Sequence, residues 1–341
     1  FFLIGLFFSL VSTSLVASDK LDTNSYFFFF KHLIFVTLGL VIIFILSFLE
    51  IKILYKISIY FFFATLILLV LVPIIGIEVK GSKRWLDLLF LPRIQPIEFV
   101  KPFFIITLAL IISNKDFPNF VIKFIFSLLL TLLIASLLIM QPDLGQTLLI
   151  VFSWTILIFV SGINLIFLLS ISITVLISLL YMVSYVSKFE YIQNRLLSFF
   201  NSETGTHNFQ SDKAIDAVIS GGFFGKGIGE GTLKNRVPEA HTDYIISVIS
   251  EEFGVIAIIL ILIIFLVFIY SIFKKVENET NDTSRLVLIG SGSLILLQAM
   301  IHVGVNIRLF PTTGMTLPFL SYGGSSIISI SIFSGIILNL T

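Results

Sequence analysis

Long apolar runs constrain this chain more than any other feature of its sequence. A helix of about 20 apolar residues crosses the hydrocarbon core of a bilayer, and only helices and closed barrels satisfy their backbone groups there. The short alternating segments of a barrel are absent, so we predict an all-α polytopic membrane protein with ten transmembrane helices. The predicted spans are residues 1–17, 32–49, 57–76, 97–113, 121–140, 146–161, 164–186, 244–273, 284–307 and 322–340.

The composition supports this class of protein. Hydrophobic residues make up 57% of the chain and charged residues 12%, whereas soluble domains contain about 25% charged residues. A net charge of +1 gives no reason to expect a nucleic-acid partner, and the lack of cysteine excludes disulfides and thiolate chemistry. We expect a single membrane domain over residues 1–341. Because the chain begins with Phe1 and not with Met, we expect the first span to be a truncated helix.

A polar segment, residues 188–243, interrupts the apolar pattern. It ends in the sequence Pro238–Asp243, and a new apolar run follows at once. A carboxylate beside a membrane helix is costly to keep there, so Asp243 is interpreted first as a functional group. The alternative is that Thr242 or Asp243 caps the following helix. Two neighbours are further candidates for polar positioning of a substrate: Glu239 and His241.

The same segment contains Arg195, a predicted surface helix over residues 211–219 and the glycine run Gly225–Gly231. The run is not a dinucleotide fingerprint, because no strand precedes it. It either brings backbone N–H groups near a phosphate or serves as a flexible connector or hinge. Further along, Glu251 and Glu252 are expected to face the protein interior or water, since carboxylates avoid lipid.

Polar residues also cluster near residues 81–101. Lys83 and Arg84 suit the headgroups of lipids. Glu98 and Lys101 stand three residues apart at the start of a predicted helix and can pair, either structurally or as part of a functional site.

Two other segments carry polar side chains between apolar runs. Asp143 either caps the next helix or adds a carboxylate to a polar cavity. Irregular backbone is expected over residues 311–326, where two prolines and three glycines interrupt an apolar stretch, and such backbone is tolerated only inside protein or beside water. The hydroxyls that could donate hydrogen bonds there are Ser321, Ser325 and Ser326.

The charge distribution does not decide the orientation in the membrane. Basic residues occur in loops on both predicted faces, so those on the translocated face need another reason to be there. Binding an anion, such as a lipid pyrophosphate, is one such reason. The candidate cations are Lys83, Arg84, Lys101 and Arg195.

Six segments in order resemble the SEDS family of shape, elongation, division and sporulation proteins: Gly81–Trp85, Gln95–Lys101, Gln141–Gly145, the glycine run, Pro238–Asp243 and Ser321–Ser326. The resemblance covers essentially the whole chain. Glu239–His241 and Gly314–Pro318 are more similar to the division-type members, FtsW, than to the elongation-type RodA. The chain departs from the family pattern at Ile97, His302 and Arg308.

The resemblance implies both a topology and an activity. It implies ten helices, cytoplasmic termini, a large extracytoplasmic loop at about residues 187–243 and residence in the bacterial inner membrane, at the division septum for the FtsW type. The implied activity is an inverting peptidoglycan glycosyltransferase that polymerises lipid II and releases undecaprenyl pyrophosphate. The open alternatives are a lipid II flippase, an elongation-type polymerase and a scaffold without substrate.

The resemblance also assigns roles to residues and partners. Asp243 becomes the essential carboxylate, either as base or as ligand of a divalent metal, Mg²⁺ or Mn²⁺, and no organic cofactor is expected. The implied partners are lipid II, membrane lipids, a class B penicillin-binding protein that supplies the transpeptidase, and other division proteins. The candidate substrate-binding residues are Lys83, Arg84, Glu98, Lys101, Asp143, Arg195, Glu239, His241, Ser321, Ser325 and Ser326.

Overall fold

The computed structural model describes residues 1–13, 26–79, 81–87, 92–116, 119–185, 190–200 and 206–341, and within them the chain is mainly helical. The helices are α1 (Phe2–Thr13), α2 (Phe27–Ser47), α3 (Ile51–Ile75), α4 (Pro96–Ser113), α5 (Phe120–Met140), α6 (Leu144–Val160), α7 (Leu165–Tyr185), α8 (Glu190–Phe200), α9 (Thr206–Gly221), α10 (Ile245–Asn278), α11 (Asp282–Asn306) and α12 (Gly324–Leu340). A short 3₁₀ helix covers Leu233–Arg236.

Each of the ten predicted apolar spans coincides with one of these helices over most of its length; residues 14–17 and 186 lie outside the described part. Six helices, α2, α3, α4, α5, α10 and α11, are long and apolar enough to cross a membrane, and α1, α6 and α12 are shorter apolar helices. The helix predicted over residues 211–219 is confirmed as part of α9, which ends at Gly221, and its place on the membrane surface stays a prediction. The number of helices that cross the bilayer stays a prediction.

The loop before α4 contains structure that the sequence did not predict. Strands β1 (Ile77–Val79) and β2 (Ser82–Trp85) pair in an antiparallel hairpin. Gly81 forms the turn with a φ of +76°, a conformation that favours glycine. A further bridge joins Leu86 to Ile94. The hairpin fixes the backbone of Arg84, whose guanidinium lies next to Asp143.

The chain forms two compact units. Unit 1 comprises residues 1–51, 206–274 and 295–341. Its framework is the pair α2 and α12, which approach closely because Gly39 lies against Ser331 and Gly335 lies against Leu46. At one end of this pair, the Asn339 amide donates to the carbonyls of Leu46 (2.9 Å), Ser47 (3.2 Å) and Leu49 (2.7 Å) and so ends α2.

Unit 2 comprises residues 52–205 and 275–294. Its central helix is α4, which is buried along most of its length and packs against α5 and α6. Polar side chains join the helices where apolar packing alone would leave groups unsatisfied. The Trp154 indole donates to Ser127 Oγ at 3.1 Å, and the Gln141 amide donates to the Leu69 carbonyl at 3.2 Å.

Candidate functional site

A tight turn places Asp243 just before the N-terminus of α10. Glu239 has a φ of +56°, and its carbonyl oxygen accepts from the backbone N–H groups of Thr242 (3.1 Å), Asp243 (3.1 Å) and Tyr244 (3.3 Å). Thr242 Oγ1 also lies 3.3 Å from Glu239 Oε2. Residues 239–244 therefore form a closed loop, and Asp243 stands partly exposed at its end, while Tyr244 is buried.

Three consecutive carbonyls of this turn are bonded to other parts of unit 1. The His241 oxygen accepts from Tyr322 N at 3.0 Å, and the Thr242 oxygen accepts from Ser321 Oγ at 2.7 Å. The Asp243 oxygen accepts from Asn306 Nδ2 at 3.1 Å. Buried backbone groups need such partners, and here the partners come from α11 and the irregular segment before α12. The backbone around Asp243 is therefore held from outside its own helix.

Asn306 connects that turn to the start of α10. Its Nδ2 group also donates to the His302 carbonyl at 2.9 Å, and its Oδ1 atom accepts from Ser247 N at 3.2 Å. Ser247 N is in the first turn of α10, where a capping side chain normally accepts. Asn306, a buried residue on another helix, thus accepts from this N–H as a capping side chain does, and the cap by Thr242 or Asp243 stays a prediction. All three bonds agree on the orientation of the amide.

The irregular segment 311–323 is fixed on its other side to α11. Gln298 Nε2 donates to the Thr316 carbonyl at 3.0 Å, and His302 Nδ1 lies 2.7 Å from the Met315 carbonyl. Thr316 Oγ1 and Ser326 Oγ are 2.7 Å apart. The prediction of irregular backbone buried inside protein is confirmed, because Ser321 and most of its neighbours are buried.

Aromatic rings surround the side chain of His241. Its ring centroid lies 4.8 Å from that of Phe28 and 5.8 Å from that of Tyr322. Tyr322 is also 5.9 Å from His32, a buried residue of α2. His241 therefore lies in a cluster of tilted rings with Phe28 and Tyr322.

A second polar cluster lies in unit 2, between the β-hairpin and α6. Arg84 Nε is 3.6 Å from Asp143 Oδ2, and the guanidinium also donates to the carbonyls of Gln141 and Pro142. Asp143 caps α6 by accepting from Gln146 N at 3.4 Å, so the capping prediction is confirmed. It is at the same time a buried member of a polar cluster, and its place in a polar cavity stays a prediction.

The contacts to Asp143 are long. Gln95 Nε2 is 3.4 Å from Oδ2, and the Arg84 nitrogen is at 3.6 Å. Burial raises the pKa of the Asp143 carboxyl, and the charges of Arg84 and Arg195 oppose that rise without cancelling it. Arg195, on α8, therefore acts on this cluster electrostatically.

Glu98 and Lys101 form a buried ion pair at the start of α4. Lys101 Nζ is 2.8 Å from Glu98 Oε2, and Gln146 Nε2 donates to Glu98 Oε1 at 2.8 Å. The prediction that the two residues pair is confirmed. Both side chains are buried, so the pair does not present a charge to solvent. The hydrogen bond from Gln146 connects the pair on α4 to α6.

The glycine run differs from both interpretations offered by its sequence. It is attached to α10, since Gly229 N donates to Glu252 Oε2 at 2.5 Å and Leu233 N donates to Glu251 Oε1 at 2.8 Å. Lys226 Nζ lies 3.6 Å from Glu251 Oε1. Within the run, only the N–H group of Gly229 is seen to bind a carboxylate of this chain, while those of Gly225, Lys226, Gly227 and Glu230 donate to backbone carbonyls. These groups are therefore engaged within the protein and do not form an open anion site, and the bonds to α10 show that the run is not a free connector.

The structure divides the predicted site residues into two groups. Asp243, Glu239, His241, Ser321 and Ser326 belong to the network of unit 1, with Ser325 buried in the first turn of α12. Arg84, Glu98, Lys101, Asp143 and Arg195 belong to unit 2, where Lys83 instead lies exposed on the hairpin opposite Glu78. The residues that sequence reasoning did not select are Asn306, Tyr322, Gln95 and Gln146.

A divalent metal held by Asp243 in an all-protein site would need further carboxylate or imidazole ligands nearby. In the described ranges, no group of three or more His, Asp or Glu side chains is arranged to hold a metal ion. The side chains described around Asp243 therefore do not form an all-protein metal site, and a metal held by Asp243 with other ligands stays a prediction.

Fold and site together define a polytopic α-helical membrane protein that holds a carboxylate at the mouth of a membrane helix. Residues 1–341 match the family model of the cell cycle proteins FtsW, RodA and SpoVE. The probable peptidoglycan glycosyltransferase FtsW of Trichlorobacter lovleyi is 34% identical, over 97% of this chain and 87% of the relative. The protein of the same name from Coxiella burnetii is 32% identical, over 96% and 90%.

Solved structures agree. A chain from a study of the structural coordination of polymerization and crosslinking by a peptidoglycan synthase complex superposes with a TM-score of 0.83 and 26% identity, over 99% of this chain and 94% of that chain. RodA of Thermus thermophilus gives a TM-score of 0.67 and 26% identity, over 98% and 94%. The chain belongs to the FtsW/RodA/SpoVE family, the SEDS proteins.

Proposed function

We propose that this chain is a division-type peptidoglycan glycosyltransferase that polymerises lipid II, with Asp243 as the general base. Membership of a family whose similar members are named peptidoglycan glycosyltransferases supports the activity. The observation that carries the role of Asp243 is its turn, in which three successive carbonyls are bonded to Tyr322, Ser321 and Asn306. Pre-organisation of this kind is what a catalytic group requires.

The proposed step is a direct displacement at a sugar carbon. The C4 hydroxyl oxygen of one GlcNAc bonds to the anomeric carbon of the MurNAc of another lipid II. The bond from that carbon to the pyrophosphate oxygen breaks, its electron pair leaves with the pyrophosphate, and the configuration inverts. The hydroxyl proton passes to the Asp243 carboxylate, a contribution of typically 10²–10⁴-fold.

The negative charge of the leaving pyrophosphate needs compensation. Lys83, Arg84, Lys101 and Arg195 stay the predicted cations for this role. Lys101 is the weakest of them, because its ammonium group is buried against Glu98.

Purified protein and fluorescent lipid II test the role of Asp243. In Asp243→Asn, glycan polymer should fall by about 10²–10⁴-fold. Asp282→Asn is the matched control, since Asp282 is an exposed carboxylate in the first turn of α11 and should be dispensable. Polymerisation by Asp243→Asn at the wild-type rate would contradict the assignment of Asp243 as the general base.

Two other outcomes would replace the proposal by one of its alternatives. Wild-type protein that moves lipid II across vesicles without forming polymer is a flippase. Loss of activity with a chelator, restored by Mn²⁺ or Mg²⁺, would assign Asp243 to a metal.

We also propose that the chain works at the division septum with a class B penicillin-binding protein as its crosslinking partner. The similar chain from a peptidoglycan synthase complex supports this partner. Co-purification with the division-type transpeptidase and septal fluorescence of a tagged chain are the expected results. Co-purification with the elongation-type transpeptidase alone would place the chain with the RodA type.

A further inference from the structure

Charged residues frame the apolar part of α10. Glu251 and Glu252 precede it and Lys274 and Lys275 follow it, while residues 254–273 contain no charged side chain. Twenty helical residues extend about 30 Å, which is the thickness of the hydrocarbon core. Residues 254–273 are therefore long enough to fill the core, and the segment Ile245–Phe253 would then extend beyond it.

The boundary coincides with a break in the helix. Gly254 has φ 78° and ψ 178°, so α10 consists of two helical segments joined at this residue. The break leaves backbone N–H groups of α10 without acceptors in their own helix, and carbonyl groups of the turn after α9 accept from them instead. Val255 N donates to the Gly222 carbonyl at 3.0 Å, and Ile256 N donates to the Phe223 carbonyl at 3.3 Å. The turn after α9 is thus fixed at the level where α10 enters the hydrocarbon.

Four apolar side chains at or next to this turn are exposed, although they lie within the polar segment of the sequence: Ile219 near the end of α9, Phe223 and Phe224 in the turn, and Ile228 in the glycine run. The charged Lys226 among them lies with Nζ 3.6 Å from Glu251 Oε1. The exposed fraction of the side chains is 84% for Phe224, 74% for Phe223, 70% for Ile219 and 64% for Ile228. Moving such side chains out of water is favourable, in proportion to the apolar area removed from water. We call these four residues the apolar tip.

We propose that the apolar tip inserts into the acyl-chain region of the bilayer leaflet at the Gly254 end of α10. Lipid is the occupant because the hydrogen bonds from Val255 and Ile256 place the tip where the uncharged part of α10 begins. Glu252, which binds Gly229 N, lies on the opposite side of Gly254 along the chain and marks the side of the headgroups and water. The tip anchors the glycine run at the interface, as interfacial apolar side chains do.

The chain contains no cysteine, so single labels can be introduced without removing native residues. Phe224→Cys, labelled with the environment-sensitive fluorophore NBD, is reconstituted in phosphatidylethanolamine and phosphatidylglycerol vesicles. We expect blue-shifted emission, strong quenching by nitroxide-labelled lipid acyl chains and little quenching by aqueous iodide. The control is Asp216→Cys, on the exposed face of α9, where iodide should quench and lipid nitroxide should not.

Each result has one meaning. Quenching of the Phe224→Cys label by iodide, as in the Asp216→Cys control, would overturn the proposal. Protection from both quenchers would also overturn it, because the tip would then be covered by protein. Iodide quenching in detergent that disappears on reconstitution, together with lipid quenching, supports it and excludes a defect of folding.

Discussion

Asn306 Nδ2 donates to the backbone carbonyl of Asp243 at 3.1 Å, while Oδ1 of the same amide accepts from Ser247 N at 3.2 Å. One side chain from the end of α11 therefore holds both Asp243, two residues before α10, and the first turn of α10. The position of the proposed base depends on the amide of Asn306 as much as on the helix that Asp243 precedes.

Asn306→Asp should retain the hydrogen bond from Ser247 N in the first turn of α10 and lose the hydrogen bond to the Asp243 carbonyl. The new carboxylate still accepts from Ser247 N, but it places an oxygen against the carbonyl oxygens of Asp243 and His302. A displacement of about 1 Å at a catalytic group can cost about 10²-fold in rate, so we expect kcat to fall by about that factor with KM little changed. Steady-state polymerisation of lipid II measures this split.

Asn339→Asp is the matched control for that variant. Asn339 also donates through its amide to backbone carbonyls, but at the junction of α2 and α12. We expect lower thermal stability and an unchanged kcat for the folded fraction. An equal loss of kcat in both variants would show that general destabilisation, and not positioning, explains the effect of Asn306→Asp.

The ion pair between Glu98 and Lys101 is suited to a double-mutant cycle. Removing one partner of a buried pair leaves an uncompensated charge and typically costs about 3–5 kcal/mol. We expect a cost of this size from Glu98→Gln and from Lys101→Met, and a much smaller cost from the double variant than from their sum. Unfolding in detergent supplies the three values, and additive costs would contradict the pairing.

The free energy of unfolding should depend on pH through Asp143. Burial raises the pKa of this carboxyl in the folded state above its usual value of 3.8. A group with a raised folded pKa favours the folded protein fully below 3.8, and that contribution is lost as pH rises through the folded pKa. Compared with Asp143→Asn, the wild-type melting temperature should therefore decline over this acidic window. Parallel melting curves for the two proteins would contradict the raised pKa.

Alanine substitutions at two glycines with positive φ, Gly229 and Gly254, distinguish the cost of backbone strain from the cost of a steric collision. In Gly229→Ala the new methyl group meets open space, and we expect only the cost of a left-handed conformation, about 1–2 kcal/mol. In Gly254→Ala the methyl group would collide with the Phe223 carbonyl and Gly225 N. The loss of thermal stability should be distinctly larger there, and equal losses would argue against the close approach of the turn to α10.

The helices were predictable because hydrophobic runs of membrane length are a local signal. All ten spans correspond to helices, and the pairing of Glu98 with Lys101 follows from a spacing of three residues. The hairpin at residues 77–85 was not predicted, because two strands of three and four residues carry too little pattern.

The partners of the polar residues could not be predicted from local sequence. Asn306 is 63 positions from Asp243, and a single Asn at the end of an apolar run resembles an ordinary helix end. Glu252 was recognised as a costly carboxylate, but its partner Gly229 N is 23 positions away. Such pairs follow only from the tertiary fold. A polar residue at the end of an apolar run was the signal available for Asn306.

The dependence of the Asp243 turn on later residues has a consequence for biosynthesis. A ribosome that has added residue 300 has already made Asp243, but Asn306, Ser321 and Tyr322 are still to be synthesised. The nascent chain thus enters the membrane with its proposed base on an unfastened turn. Translation must therefore pass Tyr322 before that turn is locked, so a product truncated before Asn306 carries the carboxylate without the residues that hold it.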